Sequence, residues 1–208
     1  MSKVVLIMST FGAYGKMPSL GDFFRINASP GFVEPWDIWL QIGMQEVRRL
    51  LGSNWEVCFM SAPIWRFTLS AGLAGPDAML GVLMPSMDRV GREFPLTLMT
   101  PVSGTPSLTD LYSGAESLFP FLEDIALNSL DDDMTRDKLV NLLSQLSLDH
   151  VETMNIPGSP SSIWTAILAS EPLTMTCKGL PNAVQLRGLF DLDAPVWQAG
   201  SKITEVNS

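Results

Sequence analysis

Two short segments concentrate the side chains that could do chemistry. Residues 15–23 read Gly-Lys-Met-Pro-Ser-Leu-Gly-Asp-Phe, and residues 85–95 read Pro-Ser-Met-Asp-Arg-Val-Gly-Arg-Glu-Phe-Pro. Gly and Pro fix a backbone path that other residues do not follow, so the charges between them are held in defined positions. We call these segments the signature loops. Their candidate functional residues are Lys16, Asp22, Asp88, Arg89 and Arg92.

These charges admit a structural and a functional interpretation. In the first, Asp22 or Asp88 accepts hydrogen bonds from turn amides while an Arg pairs with it, which ties the loops to the fold. In the second, the charges form a rigid polar patch for a partner protein, because the planar donor fork of Arg is favoured at interfaces. We also expect the two loops to meet in space, since ordering them costs entropy unless they dock on something.

Enzyme motifs are scarce in this chain. His150 is the only histidine, which excludes a two-histidine metal site, and the sequence lacks Gly-x-Ser-x-Gly, a Walker lysine loop and Gly-x-Gly-x-x-Gly. The acidic run at 131–133 lacks the pattern of a calcium loop. One alternative stays open, a small-ligand-binding or hydrolytic domain built on the five candidate charges, although no nucleophile or second acid has a clear role. We therefore predict a protein that is not an enzyme and has no cofactor or metal.

The composition indicates a protein-binding chain. Hydrophobic residues make up 46% of the 208 residues and charged residues only 17%, so the surface must expose some apolar area. The net charge of −9 argues against nucleic acid or an anionic membrane as the partner, because both need clustered Lys and Arg. A partner with a basic surface is the better match.

Cysteine content and hydropathy predict a cytoplasmic location. Cys58 and Cys177 have no Cys-x-x-Cys spacing and no neighbouring His, which favours buried thiols over a disulfide. The apolar run at 4–8 is shorter than the core of a signal peptide. No run approaches the roughly 20 apolar residues that span a bilayer, so we expect no direct membrane insertion.

The first half of the chain predicts one long helix followed by strands. Ser29 can cap a helix over Pro30–Leu51, and Gly52 can end it. Four candidate strands follow, at 57–61, 65–73, 79–84 and 94–102. Their short connections require antiparallel neighbours, because a parallel crossover needs a dozen residues or more.

The second half changes to a helical period. An apolar stripe predicts one helix over 108–125, bent at Pro120, and a second helix over 135–147. The segments at 163–168 and 173–177 read as a hairpin or as two separate strands. A short helix over 181–190 then precedes a polar tail from residue 200 that we expect to be disordered. Helices on both sides of a strand run indicate an α+β domain with helices packed on a mainly antiparallel sheet.

Tryptophans mark the expected core. Trp36 and Trp39 repeat at helical spacing, and Trp65 lies in a candidate strand, so burial is the default interpretation for all three. Trp164 and Trp197 lie in less regular sequence and are candidates for exposure.

These segments in this order resemble the TagF (ImpM) family of type VI secretion accessory proteins. The resemblance is strongest over about 13–100 and looser over 105–191. It is carried by Gly-Lys-x-Pro-x-x-Gly-Asp-Phe at 15–23, Trp36 and Trp39, Ala-Pro-Ile-Trp-Arg-Phe at 62–67, Gly-Val-Leu-Met-Pro-Ser at 81–86, Asp-Arg-Val-Gly-Arg at 88–92, and Phe-Pro-Leu at 94–96.

The resemblance implies both a fold and a role. The implied fold is similar to longin or SNARE-like domains, with an antiparallel sheet of about five strands sandwiched by helices, and 1–208 would form a single TagF-like domain. The implied role is a cytoplasmic, non-enzymatic regulator that represses type VI secretion after translation. It would act by binding a forkhead-associated (FHA) scaffold protein, separately from threonine-phosphorylation control. The oligomeric state and the binding surface stay open.

Overall fold

The computed structural model describes residues 10–148, 159–169 and 171–198. These residues form one seven-stranded sheet with helices on both faces. The apolar run at 4–8, His150 and the polar tail from residue 200 lie outside the described residues, so the expectations for them stay untested. Within the described part of the chain, no helix combines the length and the apolar character needed to cross a membrane.

All strand pairs of the sheet are antiparallel. The strands are β1 (Gly12–Gly15), β2 (Phe24–Ile26), β3 (Trp65–Leu69), β4 (Ala78–Met84), β5 (Leu96–Val102), β6 (Ser161–Leu168) and β7 (Glu171–Lys178). Their order across the sheet is β2-β1-β5-β4-β3-β6-β7. The predicted meander of β3, β4 and β5 and the predicted β6–β7 hairpin are therefore confirmed, although the sheet has seven strands rather than about five.

Seven α-helices are described. They are α1 (Pro30–Leu51), α2 (Trp55–Ser61), α3 (Leu108–Gly114), α4 (Phe119–Asn128), α5 (Arg136–Ser144), α6 (Ala183–Phe190) and α7 (Pro195–Gln198). The bounds of α1 follow its sequence signals. The Ser29 hydroxyl accepts a hydrogen bond from the Phe32 amide at 3.3 Å, Pro30 occupies the first turn, and the chain leaves the helix at Gly52 with φ of 53°.

The sheet separates two hydrophobic clusters, which confirms the expected sandwich. Alternate residues of each strand face opposite sides, so β4 places Met79 and Leu83 in one cluster and Leu80 and Val82 in the other. Helices α1, α2 and α6 cover the first face, and α3, α4 and α5 cover the second. The signature loops lie at one end of this layered structure.

The candidate strand at 57–61 is wrong, because these residues belong to α2. Trp55 and Phe59 lie four residues apart, one helical turn, and both are buried. Their rings stack at 5.0 Å, and the Phe59 ring lies 5.3 Å from that of Phe190 on α6. A short apolar run fits either period, and contact with α6 selects the helix.

The single helix predicted over 108–125 is also wrong, since the chain forms α3 and α4 with a break between them. Pro120 lies in the first turn of α4, where its missing N–H has no helical partner to lose. The proline therefore helps to begin a helix rather than bending one. The predicted helix over 135–147 is observed as α5, capped by Thr135, whose hydroxyl accepts from the Lys138 amide at 3.2 Å.

Strands β1 and β2 have no counterpart among the predicted strands. A Cβ atom on Gly12 would lie 2.7 Å from the Ile26 oxygen, and one on Gly15 would lie 2.1 Å from the Pro95 oxygen. Glycine thus lets β1 fit closely between β2 and the start of β5. This fit brings the first signature loop, which connects β1 to β2, against the second, which connects β4 to β5.

Trp164 is fully buried, so its proposed exposure is wrong. It stacks on Trp36 at 6.1 Å, and its indole N–H donates to the Ser162 hydroxyl at 2.9 Å. Trp197 is partly buried and stacks on Trp65 at 5.7 Å. Both cysteines are free thiols, Cys177 buried and Cys58 half-buried.

Candidate functional site

The two signature loops contact each other, which confirms the expectation that they meet. The Arg89 amide donates to the Leu20 oxygen at 2.8 Å. From the same loop, Nη2 of Arg92 donates to the Gly21 oxygen at 2.7 Å. Backbone and side-chain bonds therefore tie the tip of the second loop to the first.

Asp88 organises the contact between the loops. Its side chain is fully buried, and its oxygens accept from four donors. Oδ1 accepts from the amides of Val90 at 3.1 Å and Arg92 at 2.9 Å. Oδ2 accepts from Nε of Arg92 at 2.7 Å and from Nζ of Lys16 at 3.0 Å. A carboxylate offers about four lone-pair sites, so this one is saturated within the protein.

These contacts keep Asp88 ionised. Burial acts to raise the pKa of the carboxyl, because the charged form loses hydration. The donated hydrogen bonds from Arg92, Lys16 and Val90 outweigh burial and hold the pKa of Asp88 well below its usual range. The carboxylate is therefore a permanent negative charge inside the loops at physiological pH.

Lys16 is the buried counterion of this carboxylate. Only 5% of the residue is exposed, and its Nζ also donates to the Arg92 oxygen at 3.3 Å. The ammonium lies 4.7 Å from the ring centre of Phe23, a cation–π contact. Phe23 in turn meets Phe94 edge-on at 4.7 Å and stacks on Tyr14 at 6.0 Å. An aromatic cluster to which both loops contribute thus contacts the Lys16 ammonium through Phe23.

Helix α1 anchors the loops at two points. The Tyr14 hydroxyl donates to Oδ1 of Asp37 at 2.5 Å, and burial together with this carboxylate raises the pKa of Tyr14 above its ordinary value. Glu93 accepts from Arg48 near the end of α1 and from the Trp55 indole N–H. The loop pair is therefore fixed to the helical layer as well as to the sheet.

Three of the five candidate residues reach the surface. Asp22 is exposed and accepts from the adjacent Phe23 amide at 2.8 Å. Arg89 is exposed, and its guanidinium makes no salt bridge to any described residue. The side chain of Arg92 is 58% exposed while its Nε holds Asp88. Beside them Val90 is 69% exposed, so the loop tip presents a cation next to an apolar side chain.

Comparison with known proteins identifies the family. A family model described as the TagF N-terminal domain, type VI secretion system-associated, matches residues 12–146. This span is more than half of the chain and contains both signature loops. The chain belongs to the TagF family.

A solved structure extends the similarity to nearly the whole of this TagF-family chain. It is the crystal structure of PA0076 from Pseudomonas aeruginosa PAO1, with 27% sequence identity and a TM-score of 0.76. The alignment covers 95% of this chain and 99% of PA0076. No curated protein matches the sequence. The matched family is type VI secretion system-associated and is not a known enzyme family.

The chemistry available to the TagF loops is limited by burial. Lys16 and Asp88 are bonded to each other, and both side chains are buried. The nearby Ser86 hydroxyl is buried and has no hydrogen-bond partner among the described residues, so none of them acts as a base that would activate it as a nucleophile. Among residues 10–148, 159–169 and 171–198, no three His, Cys, Asp or Glu side chains are grouped to hold a metal ion.

Two cavities open elsewhere on the TagF fold. One is a groove of about 820 Å³ between α1 and the start of α6, lined by residues that include Trp39, Ile42 and Pro181. The other, of about 100 Å³, lies beside Ser29 and Met99. Neither is lined by any of the five candidate charges, so these cavities do not bring those charges onto a ligand.

Sequence reasoning missed three residues that fix the loops: Tyr14, Asp37 and Glu93. Tyr14 immediately precedes the first loop, and Glu93 lies inside the second without having been singled out. Asp37 lies three residues before the buried Leu40 of α1, so helical spacing places it at the border of the apolar stripe. A carboxylate at such a border is a signal for a polar partner from a neighbouring element.

Proposed function

We propose that this chain is a cytoplasmic, non-enzymatic regulator of a type VI secretion system. It represses secretion after translation by binding the FHA-domain scaffold protein of that system. Membership of a type VI secretion-associated family supports the context of this proposal. The observation that supports the binding surface lies at the tip of the second loop. Arg89 forms no salt bridge with any described residue, whereas the other two candidate cations, Lys16 and Arg92, are bonded within the protein.

The tip is suited to binding because its support is rigid. Asp88 and Lys16 hold the loops from inside, so Arg89 and Val90 are presented with little conformational entropy left to lose on binding. Arg is enriched at interface hot spots, and an adjacent apolar side chain excludes water from the ion pair it forms. We assign Asp22, Arg89 and the outer part of Arg92 to the contact surface, with Lys16 and Asp88 as its buried support.

Binding in place of catalysis is supported by the chemistry of the same residues. A hydrolytic site needs a nucleophile with a base in hydrogen-bond reach, and an accessible position for substrate. Ser86 has no such base, and the Lys16–Asp88 pair is buried beneath the Phe23 ring.

The direct test is the affinity of the purified chain for the FHA scaffold protein of the same secretion system. Arg89→Glu should weaken binding at least about tenfold, or about 1.4 kcal/mol, because it places a like charge against the partner's anionic contact. Its melting temperature should stay at the parent value. Arg49→Glu is the matched control, since Arg49 is an exposed cation on α1 whose side chain is 68% accessible. It should bind like the parent.

Two outcomes separate the parts of the proposal. A folded Arg89→Glu variant that binds with parental affinity contradicts the surface, whereas a parent chain that does not bind the scaffold contradicts the partner. The repressor role is tested in cells of the native host. Deleting the gene should increase type VI secretion at unchanged transcript levels, and the parent gene, but not Arg89→Glu, should restore repression. Unchanged secretion in the deletion strain would rule that role out.

A further inference from the structure

Helix α4 carries an apolar ridge that the fold does not use. Phe121 is 60% exposed and Leu127 is 51% exposed, with Asp124 midway between them at three-residue spacing. Such spacing places the three side chains along one face of a helix. The opposite face is already satisfied, since Leu122 and Ala126 are buried against the sheet. The outward ridge therefore contributes nothing to the core.

The chain that follows α4 extends this ridge. Leu130, in the turn after the helix, is 42% exposed, so three large apolar side chains face outward over ten residues. Single exposed apolar residues are ordinary on a protein surface, but a local group of them marks an interaction site. We call the exposed side chains of this region the α4 face, namely Phe121, Asp124, Leu127, Leu130, Asp131 and Asp132.

Uncompensated negative charge surrounds the apolar residues. Residues 103–148 contain eight acidic and two basic residues, a net charge of −6 out of −9 for the whole chain. Glu123 pairs with Arg66 and Asp133 with Lys138. Asp124 and the 131–132 pair are exposed and make no salt bridge to any described residue. The α4 face thus carries three carboxylates and no basic residue.

We propose that the α4 face binds a basic amphipathic helix of a partner protein. A ridge at three-residue spacing packs into the groove between ridges of another helix. The occupant would pack apolar side chains on Phe121 and Leu127, with Lys or Arg placed to reach Asp124 between them and Asp131 beyond the end of α4. The contact would be helix–helix packing, with the charges selecting the partner.

The negative charge of the α4 face argues against a second copy of this chain, nucleic acid or anionic lipid as its partner. A second copy of this chain would bring together two α4 faces that each carry three carboxylates and no basic residue. Like charges in an interface are strongly unfavourable. Nucleic acid and anionic lipid are repelled for the same reason. This proposal does not rest on the function proposed above. It uses a different surface, and the partner chemistry is opposite, because Arg89 attracts an anionic contact and the α4 face a cationic one.

The test is fluorescence anisotropy with a labelled 18-residue Leu/Lys peptide whose sequence forms an amphipathic helix. A peptide of the same composition in scrambled order is the control for net charge. The amphipathic peptide should bind at least tenfold more tightly than the scrambled one, and more weakly as salt is raised. Leu127→Ser and Asp124→Lys should each weaken binding at least fivefold. Ile42→Ser, which removes a 65% exposed apolar side chain from α1, should bind like the parent.

Each other outcome overturns the proposal. Equal binding of the two peptides would mean that net charge alone attracts them. Unchanged binding by a folded Leu127→Ser variant, or an equal loss in Ile42→Ser, would remove the α4 face as the site. Sedimentation velocity addresses the second copy. If the parent is a dimer that Phe121→Ser converts to a monomer, the face binds itself and not a basic helix.

Discussion

The signature loops and the α4 face are both rich in carboxylates, but they use them in opposite ways. In the loops, Asp88 is buried and accepts four hydrogen bonds from the protein. On the α4 face, Asp124 and Asp131 stay in solvent without a described cation. Asp88 thus serves the interior of this fold, whereas Asp124 and Asp131 stay available to other molecules.

The difference also separates stability from binding. Removing a buried, fully hydrogen-bonded charge leaves the opposite charge buried without a counterion, which lowers the stability of the fold. Removing an exposed charge changes the stability very little. The same substitution made in the two regions should therefore have very different effects. Four experiments test this contrast, from the largest expected effect to the smallest.

The largest effect should come from Asp88→Asn. This substitution leaves Lys16 buried without a counterion, and breaking a buried pair in this way costs roughly 3–5 kcal/mol in the free energy of unfolding. Asp124→Asn, the same change on the α4 face, should stay within about 0.5 kcal/mol of the parent. Urea unfolding of both variants at neutral pH measures the contrast. Similar losses in the two variants would remove the distinction between the regions.

Acid should reduce the cost of Asp88→Asn. The folded-state pKa of Asp88 lies below its unfolded value, so the carboxylate contributes stability above the unfolded pKa of about 3.9. That contribution falls as pH drops from there towards the lower folded pKa. The difference in unfolding free energy between the parent and Asp88→Asn should therefore be constant from pH 5 to 7 and shrink below pH 4. Urea titrations at each pH give this difference, and a difference that grows in acid contradicts the assignment.

Arg92→Ala should have an intermediate effect. The guanidinium bonds Asp88 and the Gly21 oxygen, but it is 58% exposed, so water replaces part of what is lost. We expect a loss of about 1–2 kcal/mol in unfolding free energy. Arg89 lies three residues earlier in the same loop. Arg89→Ala should lower the unfolding free energy by less than about 0.5 kcal/mol, because its side chain pairs with no described charge. Equal melting temperatures for the two variants would contradict a structural role for Arg92.

The smallest effect should come from Gly91→Ala. This glycine has φ of 79°, and an added Cβ would meet no atom within 4 Å, so only backbone strain opposes the substitution. The left-handed conformation costs an L-residue about 1–2 kcal/mol, and the lower entropy of Ala in the unfolded chain offsets about 0.4–1 kcal/mol of that cost. We therefore expect a net loss of about 1 kcal/mol or less in the free energy of unfolding. Asn128→Ala, an exposed change at the end of α4, should be neutral or slightly stabilising because Ala is the better helix former. Thermal unfolding compares the two, and a neutral Gly91→Ala would show that the loop relaxes freely.

Much of the fold could be predicted because its signals are local. The cap at Ser29, the proline in the first turn and the stop at Gly52 define α1 within the sequence itself. The antiparallel meander followed from short connections, a purely geometric limit. By contrast, β1 has two glycines in four residues and β2 has only three residues. β1 becomes a strand because it pairs with β5, and β2 because it pairs with β1. These are long-range contacts that no local sequence pattern reveals.

The sequence predicted where the candidate site lies but not which of its charged side chains are buried. Gly and Pro showed which charges would be held in place, and the two loops do meet. Nothing in the sequence indicated that Lys16 would be buried while Arg89 would stay in solvent, since both are cations beside turn residues. Their fates differ because Lys16 follows directly on β1, inside the sheet, and Arg89 lies at the tip of a loop. Burial of a charge depends on long-range contacts such as the one with Asp88.

The order of the strands has a consequence for how the chain can vary. The family-matched part, 12–146, supplies β2, β1, β5, β4 and β3, which are five adjacent strands. The later β6–β7 hairpin is appended at the β3 edge, so its sequence can diverge without shifting the register of the others. It cannot be dispensed with, because it covers the β3 edge and places Trp164 against Trp36 and Phe67. Without it, β3 would become an open strand beside an uncovered aromatic core, a template for aggregation.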